Sequence, residues 1–226
     1  MSRSSRAVSQ PEAPRLEDGL AETALGPEAL HDGAGLERIV IARADLAGAR
    51  AGGVRIAVAR LADVDLGGAR LRGLRLADVA VDRGNLANLA APELSLRRVA
   101  LSGARLTGAQ WTHGRIADAV FRDCRIDLAT FAGTTFERTT FEGCVLAQAD
   151  FREALLRSVR FDHCDLTEAD LTGVRIDRCE LRGCTLDGMT GMERLRGAAM
   201  PWGDVVGNAG LLAAALGIRI LDDDER

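Results

Sequence analysis

From Leu36 to Leu186 every fifth residue is apolar, giving 31 positions of which 29 are Leu, Ile, Val, Phe or Trp and two, Ala51 and Ala91, are smaller. All six Phe of the chain (Phe121, Phe131, Phe136, Phe141, Phe151, Phe161) fall on this lattice, as does Trp111. Two residues before each of these positions runs a second lattice, from Ala34 through Ala44, Ala104, Cys124, Thr134 and Val174 to Cys184, and none of its members is charged. Every charge between Leu36 and Thr190 sits on the other three positions of the unit. A period of five fits neither the 3.6 of a helix nor the 2.0 of a plain strand. Either of those readings would bury Arg and Asp again and again, at a cost no fold could sustain without partners.

The pattern is solved if each unit forms one short side of a coil and the chain turns a corner between units. Phe121, Phe141 and Phe161 are 20 apart, as are Cys124, Cys144, Cys164 and Cys184, so four units close one turn and like residues stack. The predicted fold is all-β, a four-sided parallel β-helix of about 7.75 turns, on the order of 37 Å long at a strand-like spacing of ~4.8 Å per turn. Such a coil exposes apolar cross-section and unpaired backbone at both ends and needs caps. Residues 1–15 are expected as a disordered tail, 16–33 as a short helical or irregular N-terminal cap, 34–190 as the coil, and 191–226 as a C-terminal cap and tail. In the last segment Asp204 is expected to cap a helix running to about Leu216, with Gly217 at its C′ position and Ile218 to Leu221 extended.

The units Ala44-Asp45-Leu46-Ala47-Gly48, Cys164-Asp165-Leu166-Thr167-Glu168 and Ala169-Asp170-Leu171-Thr172-Gly173 resemble the A-D/N-L/F-x-x unit of pentapeptide-repeat proteins. That resemblance covers about Ala34 to Thr190 and implies a right-handed quadrilateral β-helix. It also implies kinship with the quinolone-resistance members of the family, which mimic DNA and bind DNA gyrase, and in which a C-terminal segment joins two copies head to head. On this footing Val205, Val206, Leu211, Leu212, Leu216, Ile218 and Ile220 are candidates for a homodimer interface. The register never slips, so this chain lacks the projecting loop that some of those proteins carry.

Composition narrows the chemistry. All 29 basic residues are Arg, which excludes any role needing an ε-amine, such as a phosphate-binding lysine or a Schiff base. The three His are His31, His113 and His163; the last adjoins Cys164, but the register points one outward and the other inward, so they cannot share a metal. The five Cys all fall on the small inward lattice, where a thiol packs as a compact hydrophobe. No cofactor, metal or catalytic group is expected, and the chain reads as a non-enzyme. The stretch Met1 to Pro14 is polar and no apolar run approaches a membrane span, so a cytoplasmic protein without membrane contact is expected.

What remains is surface charge. Leu36 to Gln110 carries 12 Arg against 7 acids, whereas Trp111 to Thr190 carries 10 Arg against 14 acids. Projection onto four sides places Asp150, Glu153, Asp165, Glu168 and Asp170 on two adjacent sides and gathers Arg115, Arg138, Arg157, Arg175 and Arg178 on a third. The acidic strip is the candidate partner surface. B-DNA carries one charge per ~1.7 Å, so about four turns of coil would need about eleven negative charges to match it. Two functions stay open: a protein-binding module that partly mimics DNA and modulates gyrase, conferring antibiotic resistance, or an interaction scaffold with no mimicry. Direct nucleic-acid binding is disfavoured, since no exposed aromatics are available for stacking.

Overall fold

The computed structural model describes residues 7–221. Eight strands of eight residues recur every 20 positions: β2 (Gly35–Ala42), β4 (Arg55–Ala62), β6 (Arg75–Asp82), β7 (Ser95–Ser102), β8 (Arg115–Arg122), β9 (Thr135–Glu142), β10 (Leu155–Asp162) and β11 (Arg175–Arg182). They stack in order into one parallel sheet, joined at its start by β1 (Ala21–Glu22), while β3 (Arg50–Gly52) and β5 (Arg70–Arg72) form a small second sheet. The register advances by 20 at every step, with Leu36 opposite Ile56 and Phe141 opposite Phe161. The chain is thus a four-sided parallel β-solenoid, as the periodicity predicts.

Each long strand covers two sides, around Leu36 and Ile41 in the first turn, with a corner between them. The sides around Leu46 and Ala51 are held mostly by single bridges, such as Asp45 to Asp65 and Asp150 to Asp170. The corners are uniform. Every fifth residue from Gly33 to Gly188 has positive φ, and 20 of these are not glycine, among them Arg38 (59°), Val58 (49°) and Asp118 (55°). An isolated L-residue pays for that left-handed conformation, and a β-branched one such as Val58 most. The stacked hydrogen bonds above and below impose it.

On the two bridge-held sides, where Asp or Asn precedes the central apolar residue, its side chain accepts from the N–H just after that centre. Asp45 Oδ1 accepts from Ala47 N, Asp65 from Gly67 N, Asn85 from Ala87 N, Asp165 from Thr167 N and Asp170 from Thr172 N, at 2.7–3.2 Å. This side-chain turn is why Asp or Asn follows the small residue of the unit.

The interior is narrow and apolar. Both lattices point inward, and the C-terminal half is filled by rings stacked at the pitch of the coil: Phe121 to Phe141 at 4.8 Å, Phe141 to Phe161 at 5.1 Å and Phe131 to Phe151 at 5.2 Å between centroids. The small lattice carries hydrogen bonds as well. Cys144, Cys164 and Cys184 donate their thiols to the carbonyls of Phe121, Phe141 and Phe161 on the preceding turn, and Thr134 Oγ1 donates to Trp111 O at 2.7 Å. Desolvation pushes the Cys179 thiol up to about 12. Hydrogen bonds to the thiol one turn before push Cys144 and Cys164 up to about 12. Cys184, the last rung, is half-buried.

The ends depart from expectation. Residues 8–15, expected to belong to a disordered tail, lie along the outside of the coil, where Val8 is buried, Glu12 N donates to Asp118 and Arg15 N donates to Asp78. Polar composition suggested a solvated tail, but backbone donors meeting fixed carboxylates hold it in place. The remainder of that expected tail, residues 1–6, lies outside the described residues. The N-terminal cap is a bridge from β1 to β2, a 3-10 turn at Pro27–Ala29 and the buried Leu30.

At the other end Met192 and Leu195 plug the coil from a 3-10 turn, and Ala199 adds a last rung by pairing with Cys179 and Leu181. The single helix expected from Asp204 is two short ones, α1 (Trp202–Gly207) and α2 (Ala209–Ala215), broken at Asn208. Pro201, not Asp204, is the N-cap residue; the Asp204 carboxylate accepts instead from Gly183 N, 2.7 Å away on the last corner but one of the coil. Gly217 does terminate the second helix, with φ of 74°.

Phe141 is fully buried and the adjacent Glu142 side chain is half exposed. Phe141→Asp should destabilise the coil by more than about 4 kcal/mol, because it buries an unpaired carboxylate. Glu142→Ala, which loses only an exposed ion pair to Arg122, should cost under about 1 kcal/mol. Urea denaturation of both variants checks the register. Thiol labelling gives a second test: Cys124, Cys144, Cys164 and Cys179 should react only after denaturant is added, with Cys184 the first to yield.

Candidate functional site

The five acidic residues of the candidate strip lie on two adjacent sides of the last turns. Asp150 stacks directly beneath Asp170, and Asp165 lies on the neighbouring side. Glu153 and Glu168 occupy left-handed corners that turn their side chains outward. Much of the charge is engaged locally. Arg152 pairs with Asp150 at 2.8 Å and reaches Asp170 at 3.7 Å, and Gln148 donates to Glu168. Burial pushes the Asp150 carboxyl up, but hydrogen bonds from the Arg152 side chain and N–H and from Thr130 outweigh it and leave it below the ordinary range. Three of the five strip residues, Asp150, Asp165 and Asp170, also close corners with one oxygen. The second oxygen of Asp150 is taken by Arg152 and Thr130, so Asp165, Asp170, Glu153 and the remaining oxygen of Glu168 make up most of what the strip can offer a partner.

Three of the five arginines of the third side are similarly tied down. Arg138 is held by Asp118 at 2.6 and 2.8 Å and by Glu137, Arg115 pairs with Glu137, and Arg178 with Asp177. Along one corner, positions 20 apart read Asp78, Arg98, Asp118, Arg138, an alternating ladder that sequence reasoning did not single out, although the 20-residue spacing would have revealed it. Asp78 and Arg98 form a buried pair at 2.5–2.6 Å. The Arg98 and Arg138 guanidiniums hold the carboxyls of Asp78 and Asp118 below the usual aspartate range.

The C-terminal end divides the predicted dimer residues. Leu211 and Leu212 pack against the core of this same chain, and Val205 is half-buried. Val206, Leu216, Ile218 and Ile220 are exposed, together with Leu221 and with Trp202 at 79%. Trp202 was not among the predicted set; it follows Pro201 at the very start of α1. Apart from Leu128 and Val145, these are the large apolar side chains that the described residues expose. A cleft of about 720 Å³ opens beside them, between Val174, Met192, Leu195, Leu212 and Leu216. His163 points to solvent against Asp162 while Cys164 points inward, as the register requires. Among the described residues no three His, Cys, Asp or Glu side chains are placed to share a metal ion, and no helix is long and apolar enough to cross a membrane.

A regular coil whose distinctive chemistry lies in surface charge and one apolar end belongs to the class of solenoid modules. Residues 114–190 match the family model described as pentapeptide repeat region. The same five-residue unit runs in unbroken register from Ala34 to Thr190, so the matched stretch is one part of a coil of uniform repeat. No curated protein matches the chain. Among solved structures it is similar to HetL, a pentapeptide repeat protein involved in heterocyst differentiation regulation from the cyanobacterium Nostoc, at 20% identity over 76% of this chain and 91% of that one, with a TM-score of 0.40. It is also similar to QnrB1, a plasmid-mediated fluoroquinolone resistance protein, at 17% identity over 83% of this chain and 99% of that one, with a TM-score of 0.34.

The corner ladder makes stability pH-dependent. Because the folded carboxyls of Asp78 and Asp118 titrate below the unfolded value of about 3.9, their contribution is present above that value and is lost as pH falls through the folded values. Urea midpoints should therefore be flat from pH 8 to about 5 and fall below about pH 4. Replacing both residues with Asn should lower the plateau and flatten the acid limb.

Proposed function

We propose that this chain is a non-enzymatic, cytoplasmic protein-binding module that pairs through its C-terminal end and presents its sides to a protein partner. The observation that carries this reading is the concentration of exposed apolar side chains, Trp202, Val206, Leu216, Ile218, Ile220 and Leu221, on one short segment. Such a patch is a liability for a monomer and an ordinary feature of an association surface. A two-fold pairing is the simplest closed arrangement, since the same patch then serves on both copies.

The partner favoured by the acidic strip is a basic nucleic-acid-binding surface, with DNA gyrase the specific candidate through the family resemblance. The strip lies on the turns nearest the apolar end, so pairing there would set two strips in one assembly. A scaffold role that does not involve gyrase is the other reading. The local neutralisation by Arg152 favours it, because it leaves the strip far short of the charge density of DNA.

Light scattering should give twice the monomer mass at micromolar concentration, and Leu216→Asp with Ile218→Asp should give a folded monomer. A wild type that remains monomeric at high micromolar concentration overturns the pairing. In a gyrase supercoiling assay the wild type should inhibit, and Asp150→Asn, Asp165→Asn and Asp170→Asn together should weaken inhibition several-fold and reduce its salt sensitivity. Asn keeps the oxygen that closes each corner, so the coil should survive the change. Absence of inhibition by the wild type leaves the scaffold reading in possession.

A further inference from the structure

The segment strapped along the outside of the coil has a periodicity of its own. Val8 is buried, Pro11 and Pro14 are half-buried, and the residues between them are exposed, a repeat of three. The two residues that donate their N–H groups to the coil, Glu12 to Asp118 at 3.3 Å and Arg15 to Asp78 at 2.9 Å, are also three apart, and each directly follows a proline. Three is the period of a polyproline II helix, whose backbone donors are free because it makes no internal hydrogen bonds.

The lengths agree. Three residues of polyproline II advance about 9.3 Å, and Asp78 and Asp118 are two turns apart on the same corner, about 9.6 Å at the stacking distance of a parallel sheet. The acceptors are fixed before any peptide arrives. Both carboxylates project from left-handed corners and are clamped by Arg98 and Arg138, so each has an oxygen positioned toward the strap. Further along the same corner, beyond Val58, Arg38 pairs with Glu17. Beside the strap a cleft of about 500 Å³ is lined by Arg97, Arg98, Arg115, Arg138 and Asp118, an excess of positive charge next to Glu12, whose carboxylate pairs with Arg15 of the same segment at 3.0 Å.

The geometry points to this corner as a linear-peptide groove that recognises an extended segment of the pattern apolar-x-x-Pro-acidic-x-Pro, with residues 8–15 of the chain as its resident ligand. This inference goes beyond self-association and gyrase and depends on neither. Contact is shallow and largely through the backbone, so the resident segment is exchangeable. Its covalent attachment supplies the high effective concentration that keeps the groove closed to competitors. A proline-spaced peptide of the same pattern occupies the groove when the resident segment is released.

The test uses the full-length chain with a protease site inserted between Asp18 and Gly19, both exposed. After cleavage, the fragment ending at Asp18 should co-elute with the coil. A fluorescent synthetic peptide of residues 7–18 should displace it and bind saturably. The same peptide carrying Glu12→Pro and Arg15→Pro keeps the polyproline conformation but lacks both donors, and should bind at least tenfold more weakly. Because this change is made only in the peptide, the coil cannot be disturbed by it. A fragment that dissociates with no rebinding at millimolar peptide, or equal binding of the two peptides, overturns the groove. Uncleaved protein should show no peptide binding; binding equal to that of the cleaved form would place the peptide elsewhere and overturn it as well.

Discussion

The structure depends on one backbone constraint, a left-handed residue at every fifth position held by hydrogen bonds to the turns above and below. Twenty side-chain-bearing residues accept that conformation against their intrinsic preference. They do so because each corner is stacked on identical corners, so that a residue leaving the left-handed region would break main-chain bonds on both sides. Everything else follows from this rhythm. Two side chains per unit turn inward and three outward, the interior admits only one large and one small side chain per side, and chemically similar residues meet at intervals of 20.

The same rhythm settles what the outward residues are free to do. On the sides with continuous strands, backbone donors are absorbed by the ladder. On the other two sides, Asp and Asn side chains satisfy some of them, wherever the unit carries such a residue before its centre. An acidic residue of the repeat unit is therefore first a structural acceptor and only second a surface charge, as Asp150, Asp165 and Asp170 show. Net charge along the coil overstates its resemblance to a polyanion for this reason. The corners behave differently. Their side chains stand clear of the ladder, and the run Asp78, Arg98, Asp118, Arg138 turns that freedom into a rigid row of acceptors and clamps.

Function in such a molecule gathers where the repeat stops or where something is laid across it. The C-terminal end carries the exposed Trp202, Leu216 and Ile218 because Met192 and Leu195 already plug the narrow coil, and the two short helices beyond them have more apolar surface than their packing on that end consumes. The N-terminal segment crosses three turns of the ladder between Glu12 and Arg15 and returns to the first turn at β1, tying distant turns together. Both features add long-range contacts that the nearest-neighbour stacking of a solenoid otherwise lacks.

The amino-acid sequence by itself determined the coil: its period, its four sides, the inward placement of Phe141 and Cys144, and the faces on which Asp150 and Asp165 would emerge. Burial is decided unit by unit in a stacked repeat, so a local pattern carries the global answer. Tertiary structure alone decided the rest. Nothing local in Glu12 or Arg15 says that their N–H groups meet carboxylates 106 and 63 residues away, and a polar, proline-containing stretch is written the same way whether it is solvated or strapped down. Asp204 had the local credentials of a helix cap but is claimed by Gly183 across the end of the coil. Which of Val206, Leu212 and Leu216 face solvent was likewise set by where α1 and α2 meet the last turn. In each case the partner lies outside the repeat, where periodicity no longer fixes which residues are neighbours.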